Sequence, residues 1–305
     1  MKKGIIMQDS LHDNSHSLKN WANYHGHCFF CDGKQEPEVY VKKAIEWGMT
    51  VLGISSHAPV GFDTDWNMKE EKLSEYLKVL SHLKEKYKER IKLLTSMEVD
   101  YIPGEAGPSH QRVVNANLDY IVGSVHFVEA YDDGTHFSID DSTEDFTRGL
   151  NQIFGGDIQK LVKRYFELQK EMIANEPPHI LGHMDKIRMH NRNRFFFDEK
   201  DKWYLDEVRS TMKLAAEKGV VVEINTKYFE RADFSFPSRD HFRWMGEEKI
   251  PVTLNSDAHH PDKLLSGFKE ILEMVENSGI TELWHYHGNG QTFVPKRFSR
   301  DTIKW

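Results

Sequence analysis

The chain predicts an α/β barrel of alternating strands and helices, built as one domain. Seven short apolar runs recur along it, at residues 21–24, 50–54, 91–97, 118–125, 180–181, 220–224 and 252–254. They are rich in Val, Ile and Leu and are separated by helix-length amphipathic stretches, as a parallel sheet covered by helices requires. A second observation sharpens the first. Six of the seven runs run into His, Asp or Glu: His25, His27 and Asp32, then His57, Glu98, His126, His183, and finally Asp257 and His259. In a closed barrel the loops leaving the C-terminal strand ends converge on one mouth, so residues far apart in sequence can meet there. The run at 220–224 is the exception, since Asn225 follows it.

Length and composition agree with this architecture. The 305 residues, 39% hydrophobic and 12% aromatic, can bury a large core, and α/β barrels of this size form single domains. No Pro/Gly/Ser-rich linker, low-complexity tract or fixed-period repeat divides the chain. Residues 1–20 are polar and carry His12 and His16, and are expected to be an N-terminal extension; residues 21–305 are expected to form the domain. There is no apolar run of membrane-spanning length and no charged-then-apolar leader at the start, so the expectation is a cytoplasmic protein with no membrane partner. A formal net charge of −8 argues against an extended nucleic-acid surface. The oligomeric state is left open.

Between the strands the helices follow in order. Pro37 suits a first helical turn, and Val41, Ala44, Ile45 and Trp47 form a stripe that ends at Gly48. A long charged helix is expected over 69–90, with Leu73, Leu77, Leu80 and Leu83 as its apolar face. Residues 143–175 read as one or two helices interrupted near Gly155-Gly156, and 201–218 and 261–277 as two more. Residues 132–141 and 188–197 lack periodicity and are expected to be rim loops, where ligand contacts concentrate.

Mixtures of imidazole and carboxylate suit zinc, manganese or iron. His25-x-His27 alone is a weak signal: His285-x-His287 repeats its spacing, His259-His260 adds a spare ring, and among 17 histidines several must be structural. The coincidence with strand ends carries the assignment, together with three carboxylates, Asp32, Glu98 and Asp257, that would balance the charge of bound cations. Cys28-x-x-Cys31 has no second pair to complete a thiolate site, so two reduced, packed cysteines are expected.

The ordered motifs His25-Gly26-His27, Asp32, Ser55-Ser56-His57, Met97-Glu98, Ser124-Val125-His126, Gly182-His183 and Asn255-Ser256-Asp257-Ala258-His259 resemble the PHP family, named for polymerase and histidinol phosphatase. They are most similar to its histidinol-phosphate phosphatase branch, and the resemblance runs from Tyr24 to Phe298. It implies a distorted, TIM-like barrel of seven β/α units holding three divalent ions, whether zinc, iron or manganese. By the same resemblance, His25, His27, Glu98 and Asp257 would hold one ion, Glu98, His126 and His183 a second, and Asp32, His57 and His259 a third. The chain departs from the family pattern at Asn23, where many members carry an Asp that could orient the first histidine, and at Ser56. Glu223-Ile224-Asn225-Thr226 also resembles the branch, whereas 227–231 does not.

The activity so implied is hydrolysis of the small phosphate ester L-histidinol phosphate, in histidine biosynthesis. The expected mechanism is in-line attack by a hydroxide bridging two ions about 3.5–4 Å apart, without a phosphoenzyme. Glu98 would span both ions, and Asp257 or His259 would protonate the leaving oxygen, with His241 a weaker candidate. Lys186, Arg188, Lys227 and Arg231 follow ligand-bearing or neighbouring strands and are candidates for holding phosphate. Two other readings stay open: a centre working on phosphodiesters or nucleotides, which a basic cleft would favour, and a non-catalytic metal-binding domain, which would be expected to have lost ligands.

Overall fold

The computed structural model describes residues 21–288 and 292–298. The expected N-terminal extension, residues 1–20, lies outside them. In chain order the strands are β1 (Trp21–Asn23), β2 (Met49–Ile54), β3 (Lys92–Asp100), β4 (Tyr120–Ser124), β5 (Phe127–Ala130), β6 (His136–Ser138), β7 (Ile180–Leu181), β8 (Val221–Asn225), β9 (Val252–Asn255), β10 (Glu282–His287) and β11 (Thr292–Arg297). The helices are α1 (Pro37–Glu46), α2 (Leu73–Tyr87), α3 (Gln111–Asn115), α4 (Thr143–Phe154), α5 (Ile158–Asn175), α6 (Lys202–Glu217), α7 (Phe229–Ala232), α8 (Phe242–Glu247) and α9 (Phe268–Asn277).

All seven expected strands form, and they lie in one parallel sheet of order β1-β2-β3-β4-β7-β8-β9. The ring is nearly closed. Between β9 and β1 a single parallel bridge joins Gly26 and Ala258, with the His27 amide donating to the Ala258 carbonyl at 2.8 Å. Side chains finish the seam: the Tyr24 amide donates to Asn255 Oδ1 at 2.7 Å and Asn23 Nδ2 to Ser256 Oγ at 2.9 Å. The barrel is irregular, since its strands range from two residues in β7 to nine in β3.

The helices cover the sheet largely where periodicity placed them. α1 carries Pro37 in its first turn and buries Tyr40, Val41 and Ala44. α2 is shorter than expected because residues 70–72 form a 3₁₀ turn, and aromatic rings complete its buried face: Tyr76, Leu80, Leu83 and Tyr87 are buried, while Leu73 and Leu77 are only half-buried. α4 and α5 are separate helices, because Gly155 takes a left-handed conformation (φ 63°) that ends the first and Asp157 caps the second. The helix expected over 261–277 is likewise split, by Gly267 at φ 71°, into a 3₁₀ turn and α9.

Two hairpins went unforeseen. β5 and β6 pair antiparallel, so part of the stretch expected as a rim loop at 132–141 is strand. β10 and β11 form the second, and Phe293 on β11 packs with Ala22, Tyr24, Leu94, Tyr120, Val122, Ile180 and Val221, sealing the barrel where its strands begin. His285 faces Tyr24 Oη there at 3.3 Å. Hence His285-x-His287 sits at the end of the barrel opposite the ligand-bearing mouth. Among the described residues no helix is long and apolar enough to cross a membrane.

Candidate metal centre

Parallel strands end together, and here that brings nine side chains to one mouth. Glu98 lies at its centre and is itself inside β3, which runs on to Asp100. Its Oε2 is 3.2 Å from His25 Nε2, 3.4 Å from His27 Nε2 and 3.1 Å from His57 Nδ1. Its Oε1 is 2.7 Å from His183 Nε2 and 3.7 Å from His126 Nε2, and accepts from Ser124 Oγ at 2.6 Å. Asp257, held at φ 49°, places Oδ1 3.1 Å from His27 Nε2 and 3.8 Å from His25 Nε2. Asp32 follows a turn closed by the Cys31 amide on the Cys28 carbonyl, and its Oδ2 is 3.1 Å from His259 Nε2. Asp32 and His259 are 29% and 18% exposed, which puts the open side of the centre at this edge.

Donor atoms within 4.8 Å of one another fall into four groups: His27, Asp32, His57 and His259; His25, His27 and Glu98; His57, Glu98 and His126; and His25, His183 and Asp257. These groups cut across the division among three ions that the resemblance implies, because His57 reaches both Asp32 and Glu98. The chemistry of the set fits cations. Buried His25 Nε2, His27 Nε2, His57 Nδ1, His126 Nε2 and Asp32 Oδ1 have no hydrogen-bond partner, and stranding so many buried polar atoms is costly unless something binds them.

Two of the other ring nitrogens are held by carboxylates. His25 Nδ1 lies 2.7 Å from Glu223 Oε1, and His126 Nδ1 is 2.8 Å from Asp100 Oδ1. Such carboxylate partners fix the tautomer and orientation of a ligating imidazole. The orientation of His25 therefore does not suffer from Asn23, whose Oδ1 instead accepts from the Ser256 amide at 3.1 Å and stitches the seam. Neither Glu223 nor Asp100 stood among the sequence candidates. A signal existed for both: Glu223 is a lone carboxylate in an apolar run, where only a partnered charge can be buried, and Asp100 is two residues from Glu98 on the same strand face.

Burial opposes ionisation of Glu98, but His25, His57, His126 and His183 outweigh it and hold the carboxyl well below its usual range. Burial likewise opposes ionisation of Asp257, and Lys227 and His25 pull it down. Burial pushes His57 to about 4 and lowers His27, the latter aided by His259 and His57. Ionised carboxylates with neutral His27 and His57 are in the state in which such groups ligate cations, whereas His25 and His126, against the opposing effect of burial, are raised by the carboxylates they face.

Of the expected phosphate-binding cations, two stand beside the centre. Lys227 Nζ is 3.4 Å from Asp257 Oδ1 and 3.3 Å from His259 Nε2. Lys186 is buried with Nζ 2.8 Å from Asp140 Oδ2, and Asp257 and Glu98 both help keep it charged despite burial. Arg188 is placed otherwise than expected: its guanidinium donates to Glu199 Oε2 at 2.8 Å and to the Ser235 carbonyl at 3.1 Å, and stacks on Phe234. Arg231 belongs to α7, but its side chain lies outside the described residues. His241 is buried beside Arg188 and is not in the donor groups. Cys28 and Cys31 are free and packed, Cys28 Sγ being 3.1 Å from Ser56 Oγ and Cys31 Sγ 3.5 Å from His27 Nδ1.

A nearly closed parallel barrel with histidines and carboxylates gathered at its C-terminal strand ends defines a metal-binding α/β barrel. The PHP domain family model matches residues 23–227, more than half of the chain, and the chain belongs to the PHP domain family. It is 27% identical over 270 residues to a probable histidinol-phosphatase of Schizosaccharomyces pombe, spanning 84% of this chain and 85% of that one. A probable histidinol-phosphatase of Deinococcus radiodurans is 24% identical over 80% of this chain and 87% of its own length. Two solved structures share the fold. A candidate histidinol phosphatase of Listeria monocytogenes superposes with a TM-score of 0.70 at 24% identity, over 82% of this chain and 99% of that one. The histidinol phosphate phosphatase of Lactococcus lactis, solved with zinc, L-histidinol and phosphate, gives 0.60 at 18% identity, over 91% and 99%.

Proposed function

We propose that this protein is a metal-dependent phosphomonoesterase that hydrolyses L-histidinol phosphate to L-histidinol and phosphate, a step of histidine biosynthesis. The observation that carries the reading is the set of unpartnered, buried nitrogen and oxygen atoms around Glu98. The relatives supply the substrate, since those matched over most of their length are named for this activity. Three divalent ions, zinc, iron or manganese, would be held by His25, His27, Asp32, His57, Glu98, His126, His183, Asp257 and His259. When bound, such ions supply Lewis acidity, drawing charge from phosphoryl oxygens and acidifying water.

The chain's own residues do the rest. Glu98, reaching five imidazoles with its two oxygens, ties the centre into one unit. Lys186 and Lys227 set two ammonium groups beside it to neutralise a phosphate dianion. Protonation of the leaving alkoxide must come from a group open to the substrate. His259, 18% exposed against 2% for Asp257, is assigned that role ahead of the ionised Asp257. The two free thiols suit a reducing compartment, and we place the enzyme in the cytoplasm.

The test is a substrate panel with metal-loaded protein. Histidinol phosphate should exceed p-nitrophenyl phosphate, nucleotides and a phosphodiester in kcat/KM by about a hundredfold or more, because a fitted site draws on the non-reacting end. Preference for a diester or a nucleotide would overturn the reading.

A further inference from the structure

β8 is the one barrel strand whose end supplies no candidate metal ligand, and a chain segment pairs with that end at the mouth. Residues 233–238 return to β8: the Asn225 amide donates to the Phe236 carbonyl at 2.6 Å and the Phe236 amide to the Asn225 carbonyl at 3.0 Å. The Phe236 ring is buried, edge-on to His183 at 6.3 Å and to Tyr228 at 6.1 Å between centroids. Asn225 in turn donates through Nδ2 to Glu223 Oε2 and Asp257 Oδ2, at 3.0 and 3.2 Å. Whatever fixes this segment therefore fixes a wall of the mouth and stands one side chain from two of its carboxylates.

That fixing comes from the loop after β7. Arg188 Nε donates to Glu199 Oε2 at 2.8 Å, one terminal nitrogen donates to the Ser235 carbonyl at 3.1 Å, and the guanidinium lies 3.9 Å from the centre of the Phe234 ring. Glu199 is braced in its turn, its Oε1 accepting from Asn191 Nδ2 at 3.1 Å. Asp185 adds a second tie, its Oδ2 accepting from the Ser238 amide at 2.8 Å. We propose that Arg188 and Glu199 form a buckle that positions the 233–238 wall against His183 and Asn225. Arg188 is then a positioning residue and not a phosphate ligand. A guanidinium suits the task because one planar fork can grip a carboxylate and a carbonyl while its face stacks on an aromatic ring. The inference rests on the mouth being a phosphomonoesterase site, though not on which leaving group it takes.

Arg188→Ala, Glu199→Ala and the double variant test it in the full chain. Hydrogen exchange in the 233–238 peptide should quicken by about tenfold or more in both single variants, as expected when a local opening loses its closing contact. Metal content should stay at the wild-type level. On the best monoester kcat/KM should fall to a similar degree in both, and the double variant should be no worse than either, since the two residues act as one unit. Inhibition by inorganic phosphate should be unchanged within about twofold. Guanidinium ion added to Arg188→Ala should recover part of the lost activity. Should Glu199→Ala fail to fold, Glu199→Gln takes its place: it keeps an acceptor but loses the charge, so exchange in the 233–238 peptide should quicken by a smaller but measurable factor. Weakened phosphate inhibition in Arg188→Ala but not in the Glu199 variants would return Arg188 to the phosphate site and overturn the buckle. Unchanged exchange in both would do the same. Exchange and metal content are read without turnover, so loss of the phosphomonoesterase reading would be seen separately, as absent activity in the wild type.

Discussion

Glu223→Gln isolates what orients the centre. The carboxylate takes four hydrogen bonds, two on each oxygen: His25 Nδ1 at 2.7 Å and Asn255 Nδ2 at 3.0 Å on Oε1, and the His183 amide at 2.8 Å and Asn225 Nδ2 at 3.0 Å on Oε2. Glutamine has the same shape but one acceptor oxygen. Whichever way its amide sits, an NH₂ group faces two donors, so two of the four bonds are lost without any cavity being made. Hydrogen bonds to a charged group contribute about 1.5–3 kcal/mol each, which puts the loss at about 3–6 kcal/mol before relaxation. If the amide turns its NH₂ to His25, that imidazole loses the partner that fixes its tautomer, and metal affinity is expected to fall by about ten- to a hundredfold. The assay pairs denaturant unfolding of metal-stripped protein with chelator competition on loaded protein, and Asn23→Ala is run beside it. Unfolding and metal retention like the wild type in Glu223→Gln, with losses only in Asn23→Ala, would refute the reasoning and restore the strand-leading position as the one that orients His25.

Two further outcomes follow from particular contacts. A Cβ added at Gly182 would lie 2.6 Å from Ser124 Oγ, so Gly182→Ala should dislodge the hydroxyl that donates to Glu98 and cost about 1.5–3 kcal/mol; Ser124→Ala in the same chain should relieve the clash, and a double variant less stable than Gly182→Ala would count against it. Burial, helped by Arg188 nearby, pushes His241 from 6.5 to about 4. Between those values the unfolded chain binds a proton that the folded chain does not, so stability falls as pH drops. Urea unfolding should show about 2 kcal/mol lost at pH 5 through this group, and the loss should shrink in His241→Gln; an identical pH dependence would show that His241 plays no part.

The sequence announces the barrel because its strands are buried on both faces and therefore read as unbroken apolar runs, as in the fully buried Val221–Asn225. It announces the centre because a ligand must sit where a strand opens onto the mouth, which is how His57, His126 and His183 could be picked out from 17 histidines. Pairing partners were not legible in the same way. The register of β5 with β6 is set by an irregular ladder over three residue pairs, too short for a period to show. Arg188 shows the limit for charges: its place five residues after His183 suggests the mouth, while its function is decided by Glu199 and Ser235, which sequence spacing does not locate. Glu223 was the opposite case, visible as an anomaly within an apolar strand and missed because it follows no strand end.

Charge supplies the reason why such a mouth implies cations. Glu98, Glu223, Asp100 and Asp257 are buried within one cluster, and Asp32 is mostly covered at its edge. Lys227 and Lys186 answer only two of these negative charges, and Lys186 also serves Asp140. Protonating imidazoles can offset some of the excess: against the opposing effect of burial, Glu223, Asp257 and Glu98 raise His25 well above its usual value, and Asp100 raises His126. That remedy fails at His27 and His57, which burial and neighbouring rings keep neutral. An uncompensated buried carboxylate is strongly destabilising, so the remaining charge has to be met by ions bound to the neutral nitrogens. Metal binding and folding are then linked: the same residues that would polarise a phosphate ester leave the apo-protein with an electrostatic deficit that divalent cations remove.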